Sequence, residues 1–317
     1  VTTRVAAIDC GTNSIRLLVA DLPDREAGPQ APLVDLCRRM EIVRLGQGVD
    51  RTGRLAPEAI ERTRVALADY AAEIEKFGAE RVRMCATSAT RDASNAADFR
   101  AMVEQTLGVP PEVVTGDEEA RLSFTGAVRG LPADARPPYL VVDIGGGSTE
   151  FVVGTREGRV EAAVSMDIGC VRMTERHLHG DPPSLDEIAA AQADIAVAVD
   201  RALAVVPGRE AATLIGLAGS VTTVVAIAQG LQAYEPERIH HARVAYEQVA
   251  EVTADLLAKS SAQRLAIPVM HPGRADVIGA GALVLRVIME RAGMPSVVAS
   301  EHDILDGIAW SLAATSG

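Results

Sequence analysis

Residues 7–19 read A-I-D-C-G-T-N-S-I-R-L-L-V, and residues 141–153 read V-V-D-I-G-G-G-S-T-E-F-V-V. At a constant offset, Asp9 meets Asp143, Gly11 meets Gly145, Ser14 meets Ser148 and Val19 meets Val153. In each copy an apolar strand enters a short glycine-containing turn, and a strand of apolar and β-branched residues leaves it. Glycine lets such a turn adopt positive φ and lets a ligand approach the backbone. Successive amide N–H groups in the turn form a concave seat for an anion. An aspartate closing the entering strand is placed to meet a cation or its waters. One copy alone reads as an ordinary hairpin; two copies describe a duplicated unit whose turns would grip a phosphate–metal complex from both sides. Neither copy is the G-x-G-x-x-G of a dinucleotide fold, and neither is the G-x-x-x-x-G-K-[ST] of a Walker loop.

The surrounding chain has 317 residues, 48% of them apolar, enough for two domains with large cores and incompatible with a disordered or fibrous protein. Aromatics make up only 3%, which leaves little for a base-stacking platform. Acidic residues number 43 against 31 basic ones, a net charge of −12 that argues against DNA or any long nucleic acid as a partner. Lys76 and Lys259 are the only lysines, so phosphate must be held by arginine forks or backbone amides. Cys10, Cys37, Cys85 and Cys170 show no C-x-x-C spacing and read as small buried hydrophobes in a reducing compartment. Asp9 interrupts the opening apolar stretch, and no uncharged apolar run reaches the ~18 residues of a membrane span. The expectation is a soluble, cytoplasmic protein with no membrane partner.

Periodicity fills in the rest. A helix is expected over 57–77, opened by Pro57 and stopped by Gly78, and others over 95–107, 118–128, 185–205, 246–258 and 275–292. Strands are expected at 33–45, 81–87, 113–114, 139–142, 149–154, 159–166, 213–217 and 296–299, with a Pro- and Gly-rich connection at 22–32. Alternating strands and helices in both halves mean an α/β fold with a mixed sheet in each. The linker G-L-P-A-D-A-R-P-P at 130–138 divides the chain into domains 1–132 and 133–317, with the last helix, from Asp303, free to pack back on the first. His177, His179, His240 and His241 lack a carboxylate at ligand spacing and read as solvated surface rather than metal ligands.

The motifs also carry a resemblance. I-D-C-G-T-N-S at 8–14, A-T-S-A-T-R at 86–91, G-D-E-E-A-R at 116–121 and V-D-I-G-G-G-S-T-E at 142–150 occur in that order. G-L-A-G-S-V-T-T at 216–223, R-A-D-V-I at 274–278 and D-I-L-D-G at 303–307 follow. In this series the chain resembles the exopolyphosphatases of the Ppx/GppA family, in its short form, within the sugar kinase, heat-shock ATPase and actin superfamily. The resemblance implies two duplicated actin-like (ribonuclease H-like) domains with mixed sheets flanked by helices and a cleft between them. It also implies a homodimer, to which the apolar helix around Ile308-Ala309-Trp310 could contribute.

Phosphoanhydride hydrolysis needs a phosphate cradle, a cation and a group that orients water. The backbone of Thr12-Asn13-Ser14 and of Gly145-Gly146-Gly147-Ser148 supplies the cradle. Asp143 is the first choice for Mg²⁺, with Asp9 and Glu150 next. Arg91 can fork onto phosphate oxygens, and Gly219-Ser220 opens a helix whose amides suit an anion. By resemblance, Glu119, rather than its neighbour Glu118, matches the glutamate that orients and deprotonates water. The expected enzyme is a Mg²⁺-dependent hydrolase releasing terminal orthophosphate from inorganic polyphosphate. The alternatives are a guanosine pentaphosphate phosphohydrolase using the same groups, a kinase of the superfamily, and a nucleotide sensor without turnover.

Overall fold

The structure, a computed structural model, describes residues 3–23 and 31–313; the greater part of the connection expected at 22–32 lies outside these. The chain forms two compact units, Val1–Gly130 with Asp303–Gly317, and Leu131–His302.

Unit 1 runs β1 (Arg4–Cys10), β2 (Ser14–Asp21), β3 (Val34–Ile42), α1 (Val49–Thr52), α2 (Pro57–Phe77), β4 (Arg81–Ala86), α3 (Ser88–Arg91), α4 (Ala96–Leu107), β5 (Glu112–Val113) and α5 (Gly116–Val128). Unit 2 runs β6 (Tyr139–Ile144), β7 (Thr149–Gly154), β8 (Val160–Met166), α6 (Cys170–His177), α7 (Leu185–Val205), β9 (Thr213–Leu217) and α8 (Ala218–Ala228). It continues with α9 (Pro236–Ile239), β10 (Arg243–Ala245), α10 (Tyr246–Ala258), α11 (Ser261–Leu265), α12 (Ile278–Ala292) and β11 (Ser296–Ser300). The last helix, α13 (Ile304–Ser311), belongs to unit 1.

The duplication read from the two peptides extends to topology. The first sheet is ordered β3-β2-β1-β4-β5 and the second β10-β11-β9-β6-β7-β8. In both, a hairpin (β1–β2, β6–β7) carries an antiparallel third strand on one side and a parallel strand on the other. The register pairs Asp9 with Arg16 in the first hairpin and Asp143 with Glu150 in the second. The expected α/β fold with a mixed sheet per half is therefore present.

Local chemistry sets the boundaries. Helix α2 starts on Pro57 and ends where Gly78, at φ 66, donates its N–H back to Ile74 and Glu75. Its Tyr70 is fully buried and donates to the Ile15 carbonyl, fixing the helix on β2 beside the first turn. In unit 2 the long helix α12 is buried almost all round, among Leu257, Val221 and Val199.

The helix expected from Asp303, free to pack back on the first domain, is α13, which packs on α5, β1 and β2 of unit 1. Two glycines allow this. A Cβ on Gly126 would lie 1.8 Å from the Asp303 carbonyl oxygen, and one on Gly307 would lie 1.9 Å from that of Leu122. Any side chain there would separate the helices. Ile308 and Ala309 are fully buried in this packing, and Trp310 stacks under the Arg129 guanidinium at 3.9 Å. The Ile308 and Ala309 side chains of α13 are thus spent inside its own unit.

Candidate active site

Both turns are built alike from hydrogen bonds. Gly11 donates to the Ser14 carbonyl at 3.0 Å, and Gly145 donates to the Ser148 carbonyl at 3.0 Å. The carbonyls inside each turn are then drawn to one side. In unit 1 the Thr12 carbonyl accepts from Gly46, and the Asn13 carbonyl accepts from Val43 and Arg44. In unit 2 the Gly145 carbonyl accepts from Cys170, and the Gly146 carbonyl accepts from Val171 and Arg172. The Gly147 carbonyl accepts from Gly169. In a trans peptide the N–H points opposite to the C=O. The amides of Asn13 and Ser14, and those of Gly146, Gly147 and Ser148, must therefore face away from these supports. Among the described residues, Gly146, Gly147 and Ser148 donate these amides to no acceptor. Three convergent, unspent N–H groups form an anion seat.

The supports fit closely. A Cβ on Gly46 would lie 2.3 Å from the Thr12 side chain, and one on Gly169 would lie 2.2 Å from the Gly146 carbonyl. Thr12 and Ser88 share a buried hydroxyl–hydroxyl hydrogen bond of 2.9 Å, tying the first turn to α3.

The same register position carries opposite charges in the two hairpins. Arg16 lies across from Asp9 and binds its Oδ2 through Nε (3.1 Å) and Nη2 (2.7 Å); its Nη1 pairs with Asp303, the N-cap of α13. Asp9 is buried; desolvation pushes its carboxyl above the usual range, opposed by Arg16. Glu150 instead faces Asp143, placing two buried carboxylates opposite one another on one sheet face. Like charges in that position repel. Glu150 is held by the Ser148 hydroxyl at 2.7 Å and the Ser165 hydroxyl at 2.8 Å, both on Oε1. The Ser148 side chain is therefore committed to Glu150, and its amide is the group it offers to an anion. No group of three or more His, Cys, Asp or Glu side chains able to hold a metal by themselves occurs among the described residues.

Glu118 and Glu119 part company at the start of α5. Thr115 caps the helix, accepting from the Glu118 amide, and the next position turns inward. Glu118 is half exposed and pairs with Arg83, which also binds Glu112. Glu119 is buried, and Arg91 donates from Nη1 both to its Oε2 at 3.0 Å and to the Val114 carbonyl at 2.9 Å. With both Nη1 hydrogens used, Arg91 keeps its Nε and Nη2 donors for another acceptor.

Gly219 and Ser220 lie in the first turn of α8, behind its opening residue Ala218, which sits at φ 68, a left-handed conformation that costs any residue but glycine. A Cβ on Gly219 would lie 2.2 Å from the Arg274 Cζ, so a guanidinium covers this helix start.

The sequence reading missed Arg16, Arg172, Arg274 and Asp303 as site neighbours. Arg274 and Asp303 stand in motifs quoted above, and Arg16 and Glu150 become comparable once the hairpin register is known. His177 is not simply solvated. Its Nε2 lies 2.8 Å from Asp194, which also pairs with Arg176. Burial alone would raise the Asp194 carboxyl, but those two partners hold it below its ordinary range.

The profile of the Ppx/GppA phosphatase family matches residues 25–314. The chain belongs to that family. It is 53% identical to Exopolyphosphatase 2 of Mycobacterium tuberculosis, over 98% of this chain and 99% of that protein. It is 32% identical to the bifunctional 3-dehydroquinate synthase/phosphatase of Fusobacterium nucleatum, over 95% of this chain and 45% of that protein. Among solved structures, an exopolyphosphatase-like protein superposes with a TM-score of 0.93 at 41% identity, covering 98% of both chains. The Aquifex aeolicus Ppx/GppA member gives 0.82 at 29% identity, covering 100% of both. The duplicated α/β plan of this chain is thus that of the Ppx/GppA structures.

Proposed function

We propose that this chain is an exopolyphosphatase that hydrolyses the terminal phosphoanhydride bond of inorganic polyphosphate and releases orthophosphate. The observation that carries the reading is the second hairpin, where three unspent amides adjoin two facing carboxylates. That is an anion seat beside a cation seat, and it suits a metal-bound phosphate chain. Full-length similarity to a protein named an exopolyphosphatase supports it.

The donor chemistry fits Mg²⁺ at Asp143, with Glu150 beside it. Magnesium takes one or two carboxylates and completes its sphere with water and phosphate oxygens, so a cluster of three protein ligands is not required. When bound, the cation offsets charge on the phosphate being cleaved. Asp9 fits this role less well, because Arg16 already neutralises it. In unit 2 the amides of Gly146, Gly147 and Ser148 are the seat offered to phosphate oxygens, and in unit 1 those of Asn13 and Ser14 face away from their supports in the same way. Glu119 orients a water and takes its proton as the water attacks in line. Arg91 holds the Glu119 carboxylate in place and retains donors for phosphate.

Four free cysteines fit a cytoplasmic setting, and no described helix is long and apolar enough to cross a membrane. The homodimer stays part of the proposal; a monomer by light scattering at micromolar concentration would remove it. The deciding assay is phosphate release from polyphosphate, guanosine pentaphosphate and ATP side by side, with Mg²⁺ and with a chelator. Polyphosphate should be cleaved fastest, and chelation should stop turnover. Preferential cleavage of guanosine pentaphosphate would move the assignment to that nucleotide, and transfer from ATP to an acceptor would overturn hydrolysis.

A further inference from the structure

We propose that Arg172 is a positioning residue for the second phosphate turn: its Nε–H on the Gly147 carbonyl fixes the direction in which the Ser148 amide faces substrate. The inference rests on the exopolyphosphatase reading for its kinetic consequence, and on geometry alone for its structural one.

Gly145, Gly146 and Gly147 carry no side chains, so nothing intrinsic prevents their peptide planes from rotating. Their orientation is set by what donates to each carbonyl. The first two carbonyls are held by the opening amides of α6: Cys170 on Gly145 at 2.9 Å, Val171 and Arg172 on Gly146 at 2.8 and 3.1 Å. The third peptide, Gly147–Ser148, lies beyond the reach of that helix start. Its backbone donor is Gly169, at 3.2 Å, the longest hydrogen bond of the set. Arg172 supplies the difference, with its Nε 2.7 Å from the Gly147 oxygen. The side chain is 11% exposed, and its Nη2 lies 3.9 Å from Asp167. A charged donor on a carbonyl in so buried a setting is among the stronger hydrogen bonds available.

The consequence follows from peptide geometry. With Arg172 in place, the Gly147 oxygen points to α6 and the Ser148 N–H points away from it. Without it, the plane can turn over, which directs a carbonyl oxygen at the phosphate and withdraws one of three donors. Since the Ser148 hydroxyl is bound to Glu150, that amide has no substitute. Arg172 therefore acts on substrate through the turn and not as a phosphate ligand.

The test compares Arg172→Ala, Arg172→Met and Arg172→Lys, with Arg176→Ala as a control on the same helix face pairing with Asp194. Amide exchange, read without substrate, should quicken at Gly169, whose N–H is the backbone donor to the Gly147 carbonyl, in the Ala and Met variants and stay unchanged in β6 and β9. In steady-state kinetics with polyphosphate, kcat should fall about 10- to 100-fold with KM altered much less, the scale expected for a displaced reacting group or one lost donor. Millimolar guanidinium should restore part of the Arg172→Ala rate, whereas Arg172→Lys should stay slow, because an ammonium cannot reproduce the Nε geometry. Arg172→Met keeps the packed stem if Arg172→Ala does not fold. Near wild-type activity in Arg172→Lys together with a salt-sensitive rise in KM for Arg172→Ala would make Arg172 a direct phosphate ligand and overturn the proposal. Unchanged exchange at Gly169 would overturn it too. If the wild-type protein released no phosphate while exchange behaved as expected, the functional reading would fail and the positioning role would stand.

Discussion

Replacing Glu119 by glutamine removes a charge while leaving the shape of the site almost untouched. The glutamine carbonyl can still accept from Arg91 Nη1, as the carboxylate oxygen does at 3.0 Å. What is lost is a group able to take a proton from water. A general base is worth about 10²–10⁴ in rate, or about 3–5.5 kcal/mol of barrier at 1.36 kcal/mol per decade. The stability cost should be far smaller. Breaking a fully buried ion pair costs about 3–5 kcal/mol, but the Arg91 side chain is 26% exposed and can recover solvation, so about 1 kcal/mol is expected. Polyphosphate affinity should hold or tighten slightly, because the turn amides are unchanged and a negative charge has gone. Phosphate release, equilibrium binding and thermal unfolding on one preparation separate the three effects. Turnover within about threefold of wild type, far inside the range for a lost base, would refute the assignment. Glu118 would be a poor replacement, since Arg83 already engages its carboxylate at 2.8 Å. Arg91→Ala should lose both binding and turnover if, as proposed, the guanidinium that orients Glu119 also binds phosphate.

Asp143→Asn should abolish most activity yet raise the stability of the metal-free protein by about 0.2–1 kcal/mol, since it relieves repulsion from Glu150 across the strands; a lower melting temperature would contradict the facing-carboxylate argument. Asp9→Asn should do the opposite to stability, costing about 1–3 kcal/mol by weakening a charged hydrogen-bond pair with Arg16. Ala218→Gly should stabilise the protein by about 1 kcal/mol, because it removes a left-handed alanine, visible as a rise of about 2–4 °C in melting temperature. Ellman's reagent at pH 8 should react first with half-buried Cys37, while Cys85, whose thiol burial pushes up to about 12, stays unreactive until the chain unfolds.

Much of the fold was legible because its signals are local. Pro57 and Gly78 mark the ends of α2, and the alternation around Asp9 and Asp143 marks two hairpins. What escaped was short or depended on tertiary contact. Helix α6 spans eight residues around charged positions, too few to show periodicity, and it exists where Gly169 lets its first turn abut the second phosphate turn. The sequence allowed α13 to return to the first domain, but the contacts that seat it, Gly126 and Gly307 against the carbonyls of Asp303 and Leu122, span most of the chain and no window can display them. At the site, the types of residue were readable and their partners were not. Asp9 and Asp143 look equivalent in sequence, and Arg16 and Glu150, seven residues beyond each, acquire meaning once the register sets them opposite.

That contrast says how a duplicated unit comes to hold two different seats. The hairpin, its glycine turn and its strand-end aspartate are common to both copies, so each retains amides that face away from their supports. Changing one cross-strand residue then decides what the aspartate can do. With Arg16 opposite, Asp9 is already compensated, and the arginine is itself tied to Asp303 at the cap of α13, so the first turn is fixed by an ion-pair chain inside its own unit. With Glu150 opposite, Asp143 faces a second carboxylate across the strands, one that the Ser148 and Ser165 hydroxyls orient. A divalent cation placed there, as proposed, would sit between two carboxylates, whereas at Asp9 it would have to displace an arginine. The supports diverge in the same sense: the loop 43–46 backs the first turn, and the start of α6 backs the second, adding a third directed amide and the Arg172 anchor. The copy with the facing carboxylates is thus also the copy with the more fully oriented backbone, which is why the proposal puts cation and phosphate on the second hairpin.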